Sequence, residues 1–394
     1  MGHPRIFISA GEASGDLHGS NLVRAILARA PEAEITALGG PRMLAAGARL
    51  LADTVELGII GFLPIFSLTS RYLGLLSLAD RFIAAWRPDA IVTIDNPGFH
   101  FLLANRFRAR GIPALWYIPP QLWAWAPWRV RKLRRRFTHV ACVLPVEERF
   151  FRERGVPATF VGHPVVDHLR NLDLDQDFIE SLRRRRGDRV VALMPGSRRQ
   201  EVAPILRRQL VVARALAARD PDCSFVMALA AEEHREWVAR ETAASGLPIR
   251  TVVGKTHEVQ SAADLALAKS GTTALELAYY ETPMAVFYNV SWAEWNLAGR
   301  WLVKTPYLAL PNALAGRRIV PEYMWNKPPT RQEIDEVTRL LVDPHRRTEM
   351  RADLADVRRR IDVPGTTDNT AALVLDMVGR PVPPPPAWRS GFAM

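Results

Sequence analysis

The sequence predicts an α/β protein with two consecutive doubly wound, Rossmann-like domains. Short apolar strands alternate with helical stretches through the first half, which is the pattern that a doubly wound parallel sheet requires. After residue 189 the same pattern starts again, with a strand, a Pro-Gly-Ser turn and a long amphipathic helix. The 394 residues also exceed the usual size of one domain, so two cores are the first expectation.

The first domain is predicted at residues 1–166. Helices are expected over Leu17–Ala30 and Phe99–Arg110, where apolar residues recur at three- and four-residue spacing. The following stretch, 167–188, is polar and carries an arginine run, so we interpret it as a linker. The strands are the short apolar runs bounded by turn residues, namely Arg5–Ala10, Ile35–Leu38, Ala90–Ile94, Ala114–Ile118, His139–Leu144 and Thr159–Val161.

The second domain is predicted at residues 189–365, with a long helix over Glu201–Arg219 and further helices from Thr330 onward. We expect a C-terminal helix at 366–380 to pack back on the first domain, and the proline-rich tail 381–394 to be disordered. The two domains are expected to face each other across a cleft at the carboxyl ends of their strands. The predicted strands are Val190–Met194, Ser224–Leu229, Ile249–Val253, Leu265–Ala268 and Met284–Tyr288.

Composition and cysteine usage indicate a folded protein of a reducing compartment. Hydrophobic residues make up 48% of the chain and charged residues 24%, which excludes a disordered or fibrous protein. The two cysteines, Cys142 and Cys223, form no disulfide framework and no paired-cysteine site. The N-terminus enters a predicted strand at Arg5, which leaves no room for the apolar region of a signal peptide. We therefore expect a cytoplasmic protein that is not exported.

The formal net charge of +11 points to anionic partners, but charge alone does not separate nucleic acid, anionic lipid and phosphorylated substrates. Basic residues cluster at 129–136, at 183–186 and at Arg198–Arg199. The first two clusters are equally consistent with solvated helix faces and with a binding patch. A non-catalytic nucleic-acid-binding protein is one interpretation of this charge, and the nucleotide-type turns along the chain count against it.

The turn after the first strand reads Gly11-Glu-Ala-Ser-Gly-Asp16 and leads into a helix, so its backbone amides are expected to face a ligand. Gly11 and Gly15 allow close approach of the backbone, and Glu12, Ser14 and Asp16 favour polar contacts to a sugar over a phosphate. The glycines are alternatively required only by the turn. Their spacing does not match GxGxxG, which counts against a nicotinamide cofactor.

A second turn, between a strand and the long helix of the second domain, carries positive charge. Gly196 and Ser197 form an open amide turn, and Arg198 can offer a bidentate fork to diphosphate oxygens. An arginine there can stabilise the charge that builds on a departing nucleotide. The alternative is a solvated arginine at the start of a helix.

A third strand-to-helix turn carries Ser270, Gly271 and Thr272, small residues that together with a helix N-terminus indicate an anion site. Glu276 lies one turn further, where it can accept hydrogen bonds from ribose hydroxyls. Helix capping is the alternative role for these residues.

Asp95 is the candidate general base. It closes the predicted strand Ala90–Ile94 and precedes Asn-Pro-Gly, which places a carboxylate on a rigid turn at the expected cleft. The alternative is a cap on the following helix. The sequence contains no HExxH, no DxD at a strand end and no GxSxG, so we expect no dedicated catalytic metal and no cofactor.

The stretch 57–78 is the most apolar of the chain, and glycines, Pro64 and Arg71 interrupt it, so it is not predicted to span a membrane. It is either buried core or an exposed patch that enters a bilayer and receives acyl chains. Trp123, Trp125 and Trp128, beside the basic cluster 129–136, allow the same two interpretations. The candidate membrane or acyl contacts are Leu63, Ile65, Phe66, Leu73, Leu75 and Leu76.

Eight motifs, taken in order, resemble the lipid-A-disaccharide synthase family. Each is weak alone, but their order and spacing match across nearly the whole chain. They are Ala10–Asp16 (AGEASGD), Gly40–Met43 (GPRM), Thr93–Pro97 (TIDNP), Gln121–Trp125 (QLWAW), Phe160–His163 (FVGH), Leu193–Arg198 (LMPGSR), Ser270–Glu276 (SGTTALE) and Leu310–Asn312 (LPN).

The resemblance implies a GT-B fold and an inverting glycosyltransferase, peripheral on the inner face of the bacterial inner membrane. Such an enzyme joins UDP-2,3-diacylglucosamine to 2,3-diacylglucosamine 1-phosphate through a β-1,6 linkage and releases UDP. On the family pattern Asp95 resembles the base, Arg198 and Asn312 nucleotide or leaving-group contacts, and Glu276 a nucleotide contact. The family usually has an acidic residue where this chain has Gly98.

The partners implied are the two acylated sugars and an anionic membrane surface, with no nucleic acid, and a homodimer is left open. Within the same fold, a peptidoglycan N-acetylglucosaminyltransferase or a UDP-N-acetylglucosamine epimerase is the rival function, because such enzymes share the cleft. The apolar stretch 57–78 favours a lipid acceptor.

Overall fold

A computed structural model describes residues 3–56, 65–183, 188–196, 199–229, 232–289, 301, 303–325 and 328–380. The chain divides into two compact units, one formed by Met1–Asp167 together with Ile361–Met394 and the other by His168–Arg360. We call them the first and second units. The first unit is therefore discontinuous in sequence, because the chain leaves it after Asp167 and returns at Ile361.

The first unit contains a seven-stranded, fully parallel sheet with the strand order β3-β2-β1-β4-β5-β6-β7. The order reverses between β1 and β4, which is the topological switch point where such folds bind ligands. The strands are β1 (Arg5–Ser9), β2 (Glu34–Gly39), β3 (Arg49–Asp53), β4 (Ala90–Ile94), β5 (Ala114–Tyr117), β6 (His139–Cys142) and β7 (Ala158–Phe160).

Helices connect these strands. They are α1 (Ala13–Arg29), α2 (Pro41–Ala45), α3 (Ile65–Trp86), α4 (Pro97–Arg108), α5 (Val130–Arg136), preceded by a 3₁₀ turn at Pro127–Arg129, α6 (Pro145–Arg152) and α7 (Pro164–Arg170). One face of the sheet packs against α3 and α4 through a core that includes Phe7, Ile83, Leu103 and Trp116, each with no exposed surface. Burial of such side chains is the main stabilising contribution, about 1.5–3 kcal/mol for each aliphatic or Phe side chain.

The second unit contains a six-stranded, fully parallel sheet with the order β10-β9-β8-β11-β12-β13, and its switch point lies between β8 and β11. Its strands are β8 (Val190–Met194), β9 (Ser224–Leu229), β10 (Ile249–Val253), β11 (Leu265–Lys269), β12 (Met284–Asn289) and β13 (Glu322–Trp325). The helices are α8 (Gln176–Ser181), α9 (Arg199–Arg219), α10 (Arg235–Ala243), preceded by a 3₁₀ turn at Glu232–His234, α11 (Thr256–Ala262), α12 (Thr272–Tyr279), α13 (Leu310–Ala315), α14 (Arg331–Val342) and α15 (Pro344–Ile361).

A last helix, α16 (Thr366–Met377), belongs to the first unit and packs on α1. Asp167 accepts hydrogen bonds from the backbone amides of Gly365 and Thr366 at 3.0 and 2.7 Å, which satisfies two donors at the start of α16. The buried side chain of Asn369 donates to the carbonyl of Val161 at 2.9 Å. The segment 361–365, predicted with the second domain, lies in the first unit.

The structure adds elements that the sequence did not predict. Strands β3 and β13, each at one edge of its sheet, were missed because they lack the continuous apolar run of a buried parallel strand. The described part of the apolar stretch 57–78 is residues 65–78. All of it is helical and forms the start of α3. The predicted linker 167–188 contains the end of α7 and all of α8, while its residues 184–187 lie outside the described part of the chain.

Candidate active site

At the switch point of the first unit, the turn after β1 meets the turn after β4. A Cβ atom on Gly11 would lie 2.0 Å from Nδ2 of Asn96, a separation that no side chain allows. Gly15, in the first turn of α1, is similarly confined by Ala10, whose Cβ atom would lie 2.9 Å from an added Cβ. Both glycines are therefore needed for close packing, and Gly11 brings the two turns together where a ligand is expected.

The polar residues of the first turn divide into two groups. Ser14 is exposed and Glu12 is half-buried, so both remain candidates for substrate contact. Asp16 is buried, and its carboxylate accepts hydrogen bonds from the amides of Gly40, Arg42 and Met43 at 2.8, 3.0 and 3.1 Å. The predicted sugar contact of Asp16 is therefore wrong, because its carboxylate oxygens already bind the start of α2.

Asp95 follows β4 directly and has a left-handed backbone conformation, with φ of 51°. Its amide donates to the carbonyl of Tyr117 at 3.1 Å, which holds the turn to the end of β5. The side chain is half-buried, and burial raises the pKa of the carboxyl, an effect partly offset by a hydrogen bond from the amide of Asn96. The cap of α4 is Asn96, which accepts from Phe99, so the alternative role of Asp95 as that cap is wrong.

Behind Asp95 lies a buried histidine. The ring of His100 has no exposed surface, and its Nδ1 lies 2.6 Å from the carbonyl oxygen of Asp95. A carbonyl can only accept, so Nδ1 carries the hydrogen and Nε2 accepts from the hydroxyl of Ser9 at 2.9 Å. Burial lowers the pKa of His100 to about 4, so the ring is neutral. This bridge ties the turn after β4 to the end of β1.

Two further histidines belong to this region, and the sequence analysis did not single them out as site residues. His18 lies on α1 with its ring 6.5 Å from that of Tyr117, and burial lowers its pKa. His163, after β7, accepts a hydrogen bond from the amide of Val165 at 3.2 Å. Burial, together with a smaller electrostatic effect of His18, lowers the pKa of His163 to about 4. The sequence signal for these two site residues was their position, since His18 follows a glycine turn and His163 follows the end of a predicted strand.

In the second unit, Gly196 lies just after β8, at the switch point, with φ of 106°. A Cβ atom on Gly196 would lie 2.8 Å from Cδ of Lys269, the last residue of β11, so this glycine too is required by a close approach. Ser197 and Arg198, the predicted diphosphate contacts that follow, lie outside the described residues. The positions expected for them from the sequence stay predictions.

The predicted anion site at the start of α12 lies on the same edge of the sheet. Ser270 donates its amide to Phe287 at 2.9 Å, Gly271 has φ of 132°, and Gly271 and Thr272 are exposed. Gly271 is the N-cap and provides no side-chain hydrogen bond to the first turn. Gly271 thus occupies the capping position but leaves the first amides of α12 without a side-chain hydrogen bond there.

Glu276, one turn into α12, is half-buried and oriented by a chain of polar side chains. Nε2 of the fully buried Gln260 donates to Oε2 of Glu276 at 2.7 Å. The other end of Gln260, Oε1, lies 3.0 Å from Nδ1 of His257, which donates because an amide oxygen accepts only. Gln260 and His257 thus orient one oxygen of the Glu276 carboxylate, and sequence patterns gave no sign of this chain.

Asn312 is not a ligand contact in this structure. It has no exposed surface, its Nδ2 donates to the carbonyl of Val320 at 2.9 Å, and its Oδ1 accepts from the amides of Ile319 and Val320 at 2.7 and 2.9 Å. The predicted nucleotide contact is therefore wrong, because the side-chain amide is engaged in holding the segment that leads to β13.

The candidate membrane residues differ in how much of each side chain is exposed to solvent. Leu75 and Leu76 are 6% and 5% exposed and pack in the core with Ala79 and Ile83, at the spacing of one helix face, so their prediction as membrane or acyl contacts is wrong. Leu73, on the same helix, is 59% exposed. Leu63 lies outside the described residues, as do the side chains of Ile65 and Phe66, although the backbone of both is helical. Of the three tryptophans, Trp123 is nearly buried, whereas Trp125 and Trp128 are exposed.

A surface cavity of about 840 Å³ in the second unit contains none of the predicted site residues. Several of its arginines already have acidic partners, since Arg318 pairs with Glu336 at 2.7 Å and Arg317 pairs with Asp353. Within the described ranges, no three His, Cys, Asp or Glu side chains are grouped so as to hold a metal ion. None of the described helices is long and apolar enough to cross a membrane.

The fold is shared with solved glycosyltransferases and UDP-N-acetylglucosamine 2-epimerases. A putative UDP-N-acetylglucosamine 2-epimerase from Listeria monocytogenes has a TM-score of 0.61 to this chain, at 14% identity, over 95% of this chain and 96% of its own. The calicheamicin glycosyltransferase CalG4 has a TM-score of 0.56, at 16% identity, over 97% and 100%. These structures and the two parallel sheets confirm the predicted GT-B type of fold. At such identities the likeness shows the fold alone.

Sequence comparison is more specific. The model of the lipid-A-disaccharide synthetase family matches residues 6–368. The lipid-A-disaccharide synthase of Geobacter sulfurreducens is 36% identical over 382 residues, 96% of this chain and 98% of its own. That of Myxococcus xanthus is 36% identical over 375 residues, 95% and 98%. The chain belongs to the lipid-A-disaccharide synthase family and is a glycosyltransferase of lipid A biosynthesis. The rival interpretations as an epimerase or a nucleic-acid-binding protein are therefore wrong.

Proposed function

We propose that the enzyme transfers the sugar of UDP-2,3-diacylglucosamine to the 6-hydroxyl of 2,3-diacylglucosamine 1-phosphate, forming a β-1,6 linkage and releasing UDP. The observation that carries this proposal is the carboxylate of Asp95, half-buried on a hydrogen-bonded turn at the switch point of the first unit. The family membership supports both substrates.

Asp95 acts as the general base. A sugar hydroxyl is a weak nucleophile at neutral pH, so it must lose its proton as it attacks. The 6-hydroxyl oxygen forms a bond to C1 of the donor sugar, the bond from C1 to the UDP oxygen breaks, and the proton passes to the carboxylate of Asp95. Partial burial favours this role, because a raised pKa makes the carboxylate a stronger base than an exposed aspartate.

The second unit binds UDP. The start of α12, where Gly271 provides no side-chain cap, offers the amides of Gly271 and Thr272 to the diphosphate. Glu276, oriented by Gln260, accepts from ribose hydroxyls with the oxygen that Gln260 does not bind. Gly196 allows the backbone to approach the phosphates, and Ser197 and Arg198 follow it in the chain. Arg198 stabilises the charge that grows on the departing UDP, so we expect no metal requirement.

The test is a product assay. The purified protein, given UDP-2,3-diacylglucosamine and 2,3-diacylglucosamine 1-phosphate, should produce a disaccharide detected by mass spectrometry, together with one equivalent of UDP. Turnover should survive EDTA. Release of UDP without disaccharide would contradict the acceptor, and activity that EDTA abolishes and Mg²⁺ or Mn²⁺ restores would contradict the metal-independent mechanism.

We also propose that the first unit contacts the anionic cytoplasmic face of the inner membrane. Leu73 on α3, Leu102 on α4, and Trp125 and Trp128 before α5 are 59%, 49%, 43% and 55% exposed, so four large apolar side chains of this unit meet solvent. Helix α5 adds exposed basic side chains at Arg131, Lys132, Arg134 and Arg135. Apolar side chains and basic residues together suit attachment to an anionic surface.

Leu73→Ser tests this attachment. The variant should keep the stability of the wild type and bind vesicles containing anionic phospholipid more weakly, because only an exposed side chain is changed. Leu76→Ser is the matched control on the same helix, and it should lower the free energy of unfolding by about 2–5 kcal/mol because its side chain is in the core. Unchanged sedimentation of the Leu73 variant with vesicles would contradict the role of this residue.

A further inference from the structure

Lys269 lies at the carboxyl edge of the sheet in the second unit and has no role in the proposed function. It is the last residue of β11, whose first four residues are buried, whereas Lys269 is partly exposed. Strand β11 pairs with β8 at the switch point, with Ala268 opposite Met194. Lys269 and the turn at Pro195–Gly196 therefore leave the sheet at neighbouring points on its carboxyl edge.

The side chain of Lys269 runs along that turn. A Cβ atom on Gly196 would lie 2.8 Å from Cδ and 3.9 Å from Nζ of Lys269. The apolar stem thus covers the glycine and brings the ammonium group to the turn itself. A side chain at position 196 would displace the lysine, and φ of 106° separately disfavours one.

We propose that Nζ of Lys269 is a further cation of the diphosphate site, contacting UDP oxygens at the turn after β8, in addition to the contact predicted for Arg198. This inference rests on the proposed function. The ammonium adjoins the turn that continues into Ser197 and Arg198, and one residue further Ser270 begins the approach to the uncapped start of α12. A pyrophosphate carries more negative charge than one arginine balances, and a lysine supplies a compact charge with three donors.

The alternative is that Lys269 only fills space over Gly196. Lys269→Met separates the two roles, because methionine keeps an unbranched apolar stem and loses the charge. Arg240→Met is the matched control. Arg240 lies on α10 of the same unit, is exposed and pairs with Glu236 at 3.0 Å, so this variant also loses one positive charge but none at the turn.

The experiment is isothermal titration of the full-length wild type and both variants with UDP and with uridine. Lys269→Met should bind UDP about 10-fold more weakly, the size expected for a partly exposed charged hydrogen bond, with unchanged uridine affinity. The loss should shrink at high ionic strength, and Arg240→Met should match the wild type. Equal UDP affinity of Lys269→Met and wild type, or an equal loss for uridine, would overturn the inference. A wild type that does not bind UDP would instead overturn the proposed function.

Discussion

Asp95 and Asn96 are two consecutive non-glycine residues in the left-handed region, with φ of 51° and 45°. Such conformations cost on the order of 1 kcal/mol or more each and persist only where the surroundings impose them. Here the bonds to Tyr117 and His100 hold the backbone of Asp95, and Asn96 caps α4. The turn thus fixes the backbone from which the Asp95 side chain extends, which favours the defined placement that a general base requires.

Asp95→Asn keeps the shape of the side chain but removes its ability to take a proton. We expect kcat to fall by about 10² to 10⁴, with UDP affinity and thermal stability close to the wild type. An active asparagine variant would show that the base is another residue.

The wild-type pH profile gives an independent check on Asp95. Because a base must be ionised, kcat/KM should fall as the pH decreases through the pKa of the free enzyme's base. Burial raises the pKa of Asp95 above its ordinary 3.8, so this acidic limb should lie at a higher pH than for an exposed aspartate. The limb should be absent from the residual activity of Asp95→Asn.

At the scale of single elements, α6 depends on a buried carboxyl at its start. Glu147 is 1% exposed, and its Oε2 accepts from the amides of Val143 and Leu144, both at 3.2 Å. Burial raises its pKa to about 8, although these two hydrogen bonds favour the ionised form. Glu147 is therefore mostly protonated in the folded protein at neutral pH.

This raised pKa makes stability depend on pH. The folded state binds the Glu147 proton more tightly than the unfolded state does. The contribution of this proton binding to the free energy of unfolding is therefore complete below about pH 4.5 and is lost as the pH rises through 8. The free energy of unfolding should therefore fall by a few kcal/mol between pH 5 and 9, and Glu147→Gln should flatten that decline. Denaturant titrations at several pH values measure it, and equal slopes for variant and wild type would contradict the assigned pKa.

At the scale of the whole molecule, the first unit is completed by the end of the chain. Helix α16 packs on α1, and Asn369 and Thr370 have no exposed surface there. A Cβ atom on Gly162 would lie 2.6 Å from the carbonyl oxygen of Val363, which shows how closely the returning segment approaches the end of β7. The second unit, in contrast, is one continuous segment, His168–Arg360.

Truncation after Arg360 should therefore affect the two units differently. The first unit should lose its protection against proteolysis, because removal of α16 exposes the apolar surface of α1 and removes the two backbone amides that bind the carboxylate of Asp167. The second unit should still bind UDP in a calorimetric titration. A truncated protein whose first unit resists proteolysis as well as the full chain would show that α16 is dispensable for that unit.

The sequence by itself determined the fold class, the family and the place of Asp95 at the end of a strand. Buried parallel strands are read from continuous apolar runs, and β4, β8 and β9 begin and end where those runs do. Only the tertiary structure decided which of the candidate side chains are available to contact a substrate or a membrane. It assigned Asp16 and Asn312 to internal hydrogen bonds, Leu75 and Leu76 to the core, and placed Lys269 beside Gly196. The physical reason is that local sequence reports backbone preference and hydrophobic period, whereas the polar partner of a side chain depends on strand order, which joins residues distant in the chain.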